Sequence, residues 1–93
     1  MRYLFLPHAM RQMNRLDRMI STREIRLVVE QGEIIESYPE DVRGHSCLML
    51  GWRNEGRAIH VVCAPKEDYL AIITAYIPDI TEWAEDWKTR RSK

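Results

Sequence analysis

Two apolar runs decide the fold: Ser46-Cys-Leu-Met-Leu-Gly-Trp-Arg53 and Arg57-Ala-Ile-His-Val-Val-Cys-Ala64, joined by Asn54-Glu-Gly56. Both runs have strand length and strand composition. A three-residue loop with glycine where a positive φ is needed makes them a hairpin. Tyr69–Ile77 follows across the turn Pro65-Lys-Glu-Asp68. Connections this short force antiparallel pairing, so the three strands form a meander. Upstream, Glu33–Tyr38 reads as another strand closed by Pro39, and a polar loop follows with Arg43, Gly44 and His45. Pro78 stops the sheet. Asp79-Ile-Thr-Glu82 then predicts a cap for a last helix that carries Trp83 and Trp87 one turn apart.

The first third of the chain reads as two helices. Pro7 suits a first helical turn, and Met10, Met13, Leu16 and Ile20 recur at helical spacing, predicting a helix over 7–20. His8, Arg11, Arg15 and Arg18 fall in one sector of its opposite side. That stripe is either a solvated face or a basic surface. Ser21-Thr-Arg-Glu24 is a capping box, Ile20 and Ile25 can staple across it, and Gly32 ends the second helix. The expected fold is α+β: two N-terminal helices on a 3–4-stranded antiparallel meander sheet, then a short C-terminal helix, all in one domain over residues 1–93.

The register sets which polar groups meet. Pairing Arg53 with Arg57 and Ala64 with Tyr69 puts Arg53, Arg57, Thr74 and Tyr76 on one sheet face and His60 on the other. A one-residue slip in either hairpin reverses this, and the sequence does not fix the register.

Composition narrows the function. The 45% hydrophobic and 30% charged fractions belong to a globular chain. Apolar runs are too short to span a bilayer and the N-terminus lacks a signal peptide, so a cytoplasmic protein is expected. Cys47 and Cys63 sit inside apolar strands, far from any C-x-x-C pattern, and read as packed thiols with no metal site. The 14 basic and 14 acidic residues cancel, which argues against strong sequence-independent binding of nucleic acid. They are unevenly placed, however: the first helix is basic, residues 30–41 are acidic, and the C-terminus is basic again.

No phosphate loop, nucleophile elbow or metal cage is present, so chemistry would rest on His, Arg and Tyr without a cofactor. Cleavage of RNA by its 2′-hydroxyl needs a base, an acid and a cation over the phosphorane. Histidine suits the first two roles and arginine the third, while tyrosine can donate a proton or stack on a base. The candidates are His60, His8 and Tyr76 for catalysis, with Arg43, Arg57, Arg15 and Arg11 for phosphate. Each has a plain structural alternative. His60 between apolar neighbours reads more readily as a buried, backbone-bonded ring, and Trp83 and Trp87 read best as core or partner contacts.

The order of motifs resembles a bacterial family of small domains of unknown function. It rests on His8-Ala9, Ile20-Ser21, Ile34-Ile-Glu-Ser-Tyr-Pro39, Arg43-Gly44, Leu48-Met-Leu-Gly51, Ile59-His-Val-Val62 and Thr74-Ala-Tyr-Ile-Pro-Asp79 before Trp83. Where that family carries an arginine just before the methionine of the first helix, this chain has Gln12 before Met13. Such domains resemble the RelE- and MqsR-type ribonuclease toxins. The resemblance implies a metal-independent endoribonuclease with a RelE-like fold, RNA as substrate and a small zinc-finger-type antitoxin as partner. The competing expectation is a non-catalytic interaction module or homodimer, suggested by apolar side chains on both sheet faces.

Overall fold

The computed structural model describes residues 2–42 and 44–92. Along the chain run β1 (Arg2–Phe5), α1 (Pro7–Met13), α2 (Thr22–Gln31), β2 (Glu33–Tyr38), β3 (Ser46–Arg53), β4 (Arg57–Pro65) and β5 (Tyr69–Tyr76). They make an α+β fold with one five-stranded sheet in the order β1-β5-β4-β3-β2.

The local signals explain most of these boundaries. Ser21 Oγ accepts from the Glu24 amide and Glu24 returns a bond to the Ser21 amide, so α2 starts at its capping box. Ile20 and Ile25 beside it are both buried in the core. At the β3–β4 hairpin Glu55 and Gly56 both take positive φ, 69° and 72°, and Arg53 pairs with Arg57 as expected. Gly51 lets α2 settle directly on β3, since a Cβ there would lie 2.5 Å from Val28 Cγ2.

Four expectations need correction. The sheet is mixed and five-stranded, because Arg2–Phe5 forms a fifth strand, parallel to β5. The first helix ends at Met13, where Asn14 caps it. Residues 15–18 then form turns, and Met19 adopts φ 47°. Among the described residues the C-terminal helix is absent. Residues 79–92 run as turns with one bridge between Trp83 and Arg90. Lastly, Ala64 pairs with Ala71 instead of Tyr69, and Ile73 is an extra residue that bulges β5. The bulge places Thr74 opposite Val62 and Tyr76 opposite His60. Tyr76 and Thr74 therefore share the face of His60, away from Arg53 and Arg57.

Each face of the sheet has its own cover. Ala9, Met13, Ile25 and Val28 of the helices pack on Met49, Ile59, Val61 and Ile72. The other face presents Leu48, Leu50, His60 and Tyr76, and the C-terminal segment lies over it with Trp83 turned into the core. Among the described residues no helix is long and apolar enough to cross a membrane.

On the helix side Cys47 and Cys63 face each other across β3 and β4, Sγ to Sγ 3.7 Å, both as free thiols. Burial, then Cys47 beside it, pushes the Cys63 thiol up to about 12. Alkylation at pH 8, followed by mass spectrometry, should therefore label half-buried Cys47 first and reach Cys63 only after denaturation. Equal native labelling of the two would contradict this packing.

Candidate functional site: an arginine-walled cleft backed by a buried histidine

His60 is wholly buried, and both ring nitrogens have protein partners. Nε2 lies 2.7 Å from the Trp87 carbonyl oxygen. A carbonyl only accepts, so Nε2 carries the hydrogen and Nδ1 is left to accept from the Tyr76 hydroxyl at 3.2 Å. The ring also meets the edge of Trp83, centroid to centroid 4.5 Å, and that of Tyr76 at 5.3 Å. Burial depresses the His60 pKa, opposed by the bond to Trp87 and the charge of Glu36. The bonding pattern is that of a neutral imidazole, with the hydrogen on Nε2 and Nδ1 accepting.

Around it the C-terminal segment forms a strap fastened to acidic β2. Arg90 makes a fork to Glu36 at 2.8 and 3.0 Å while its guanidinium lies 4.5 Å over the Trp83 ring. Lys88 pairs with Glu33 at 2.9 Å. The hydrogen bond from Arg90 is the main force holding the Glu36 carboxyl below its ordinary range, and burial with Glu36 beside it pushes Tyr38 up to about 12. The acidic run over 30–41 and the basic C-terminus are thus partly complementary surfaces of one fold.

Tyr76 connects this interior to an open cleft of about 520 Å³, lined by Arg15, Asp17, Arg18, Tyr76, Ile77, Pro78, Asp79 and Glu82. Its volume is that of a small-ligand site. The turn after α1 supplies the arginines, and the end of β5 supplies the phenol. Arg15 pairs loosely with Asp17 at 3.2 Å, and Arg18 donates to Gln12 Oε1. Asp79 spends its carboxylate on the Thr81 amide and hydroxyl, which holds its pKa low. The Glu82 side chain has no partner among the described residues. Burial raises the Tyr76 phenol; Arg90 and Arg18 pull it down, and Glu36 and Glu82 push it up. The hydroxyl therefore feels both the Arg90–Glu36 pair of the strap and the charges of the cleft.

The expected site residues divide. Tyr76 and Arg15 line the cleft, and His60 stands behind Tyr76. His8 and Arg11 are exposed on α1 and do not line it. Arg57 is exposed at the β3–β4 hairpin, on the face opposite His60. Arg43 lies outside the described residues. Arg18 and Glu82 join the cleft without having been singled out. Arg18 could have been found from the basic stripe, whereas Glu82 carries only a helix-cap signal in the sequence. Among the described residues no three His, Cys, Asp or Glu side chains gather as a metal-ligand set.

Fold and site together define a small α+β domain with a phenol-bearing cleft lined by two arginines and three carboxylates, and a strap held by a buried imidazole. Residues 5–77 match the family described as "Domain of unknown function (DUF4258)", and the chain belongs to it. The match includes Arg15, Arg18, His60 and Tyr76; Glu82 and the strap lie beyond it. No curated protein and no solved structure matches the chain.

Proposed function

We propose that this domain is a metal-independent endoribonuclease of the toxin type, cleaving RNA by attack of the 2′-hydroxyl and held in check by a partner protein. The observation that carries the reading is the meeting of Arg15, Arg18, Tyr76 and Glu82 around one cleft with His60 bonded behind Tyr76. The motif resemblance to RelE- and MqsR-type toxins favours the same class. In this reading the two guanidiniums hold the scissile phosphate and offset the charge of the phosphorane. Glu82 accepts a ribose hydroxyl. The 2′-hydroxyl passes its proton to the Tyr76 oxygen as the Tyr76 proton moves to Nδ1 of His60. The O2′–P bond forms and the P–O5′ bond breaks. Solvent in the open cleft protonates the departing 5′-oxygen, leaving a 2′,3′-cyclic phosphate. The new imidazolium keeps its Nε2–H on Trp87, with Glu36 as a favourable charge.

The test is cleavage of a single-stranded RNA by the purified chain in EDTA, with product ends read by mass spectrometry. We expect cyclic phosphate ends, and no cleavage where the attacking 2′-hydroxyl is removed. Arg18→Ala should lower kcat/KM about 10²–10³-fold and Tyr76→Phe about 10²-fold, each with the fold intact by circular dichroism. The rate should rise with pH through the lowered His60 pKa, so its acid limb falls below pH 6.5. A parent that leaves RNA uncut, or variants that cut as it does, would sink the proposal.

A partner fits the same surface. Leu16 and Met19, 91% and 62% exposed, stand on the turn that carries Arg15 and Arg18. A small antitoxin-like protein covering that turn would bury apolar surface and close the cleft together. An inactive chain that forms a stable homodimer by light scattering would instead favour the interaction-module reading.

A further inference from the structure

Trp52 has no place in the core or in the cleft just described. It is 53% exposed at the end of β3, beside a second cleft of about 490 Å³ lined by Arg23, Glu24, Leu27, Trp52, Arg53 and Asn54. An indole this open costs apolar exposure, and its setting is polar. Glu24 is engaged by Arg53 at 2.7 and 2.8 Å and by the Ser21 amide. The Arg23 and Asn54 side chains have no partner among the described residues. The lining thus offers a flat π-face, an uncommitted guanidinium and a free amide. Those three groups suit a base, a phosphate and a base edge respectively. A protein interface built on Trp52 would call for an apolar core around it, whereas Leu27 is the one apolar side chain beside it in this cleft, and the adjoining pocket toward Gln31 and Glu33 adds only Leu50, which is buried.

The two clefts are joined. Arg53, in the wall of the second, donates to the carbonyls of Arg18 at 2.9 Å and Met19 at 3.0 Å. Arg18 in turn lines the first cleft. The turn that borders the first cleft is therefore held by a side chain of the second. Arg57, opposite Arg53 in the register, adds a further exposed cation at the same end.

We infer that Trp52 is the base-stacking platform of a second nucleotide subsite, with Arg23 as its phosphate ligand, so that single-stranded RNA lies across both clefts. The inference rests on the ribonuclease reading of the first cleft, and it adds where the neighbouring nucleotide sits. Substrates longer than a dinucleotide then gain affinity from Trp52, while the chemistry at Tyr76 does not depend on it.

The experiment uses the full chain and two probes. One is a hexaribonucleotide with every 2′-hydroxyl methylated, which binds without being cut. The other is a dinucleoside monophosphate that reaches only the Tyr76 cleft. We expect the hexamer to quench tryptophan fluorescence. Trp52→Ala should weaken its binding at least about fivefold, and Trp52→Phe should recover most of the loss. Arg23→Gln should reduce the salt dependence by about one phosphate contact. Cleavage of the dinucleotide by Trp52→Ala should equal that of the parent. Hexamer affinity unchanged in Trp52→Ala, with cleavage intact, overturns the subsite and leaves the nuclease standing. Trp52-dependent hexamer binding without any cleavage supports the subsite and removes the nuclease. A parent that neither binds nor cleaves RNA removes both. If Trp52→Ala abolishes self-association and leaves RNA affinity unaltered, the patch is a protein interface and the inference fails.

Discussion

His60→Ala will cost the domain about 3–4 kcal/mol of stability, a drop in Tm of roughly 15 °C for a chain of this size. The ring is wholly buried, packs on the edge of Trp83, and satisfies the Trp87 carbonyl and the Tyr76 hydroxyl. Alanine leaves a cavity and two unpaired polar groups at once. The loss should concentrate in the strap, so limited proteolysis of the variant should begin within residues 79–92. Denaturant unfolding within 1 kcal/mol of the parent would show that the imidazole is not what holds the strap.

The same ring gives stability a pH dependence. Its folded pKa lies below the unfolded value of 6.5, because burial penalises the cation. The unfolded chain therefore binds more protons between the two values, and stability rises with pH through that window. The contribution is complete above pH 6.5 and is lost as pH falls toward the folded pKa. Glu24 and Glu36 behave likewise at lower pH. Their carboxyls are held below 4.5, chiefly by bonds from Arg53 and Arg90, so their contribution is lost as pH falls from 4.5 toward the folded values. A profile of Tm against pH should show both limbs, and His60→Gln should erase the upper one alone.

What the sequence disclosed, and what it hid, follows from how local each signal is. The α2 capping box and the glycine-bearing hairpin are decided within four or five residues, and they form as expected. β1 was hidden because four residues with one exposed face carry little pattern, and its pairing with β5 is a parallel contact across most of the chain. The C-terminal helix failed for a tertiary reason. Asp79 and Asp86 each close a turn, and Trp83 and Trp87 have helical spacing. Trp87 instead takes φ 61° and gives its carbonyl to His60, and Arg90 reaches Glu36. The bulge at Ile73 is hidden in a run of apolar residues, where an extra residue leaves the alternation unbroken. Yet that bulge puts Tyr76 beside His60. The key contact of the site thus depends on the feature least visible in the sequence.

Arg53 makes the second large prediction, because one side chain ties together the parts that form both clefts. Its fork meets both oxygens of Glu24, and its remaining donors reach the carbonyls of Arg18 and Met19. The pair is mostly shielded, with 16% of the Arg53 side chain and 25% of that of Glu24 exposed. Arg53→Ala removes four hydrogen bonds, leaves Glu24 facing a vacated site, and should cost about 2–4 kcal/mol. Arg53→Lys keeps the charge, yet a compact ammonium cannot bridge a carboxylate and two carbonyls in the plane of a guanidinium, so it should restore less than half of the loss. Function should fall further than stability does. The turn that Arg53 holds carries Arg15 and Arg18, so loosening it disperses the cations of the first cleft even under conditions where the variant is folded. We therefore expect Arg53→Lys to lose RNA cleavage about as severely as Arg18→Ala while unfolding at a Tm between those of the parent and Arg53→Ala. Full activity in Arg53→Lys would mean that the placement of the turn owes nothing to the guanidinium geometry, and that the two clefts are not mechanically coupled through β3.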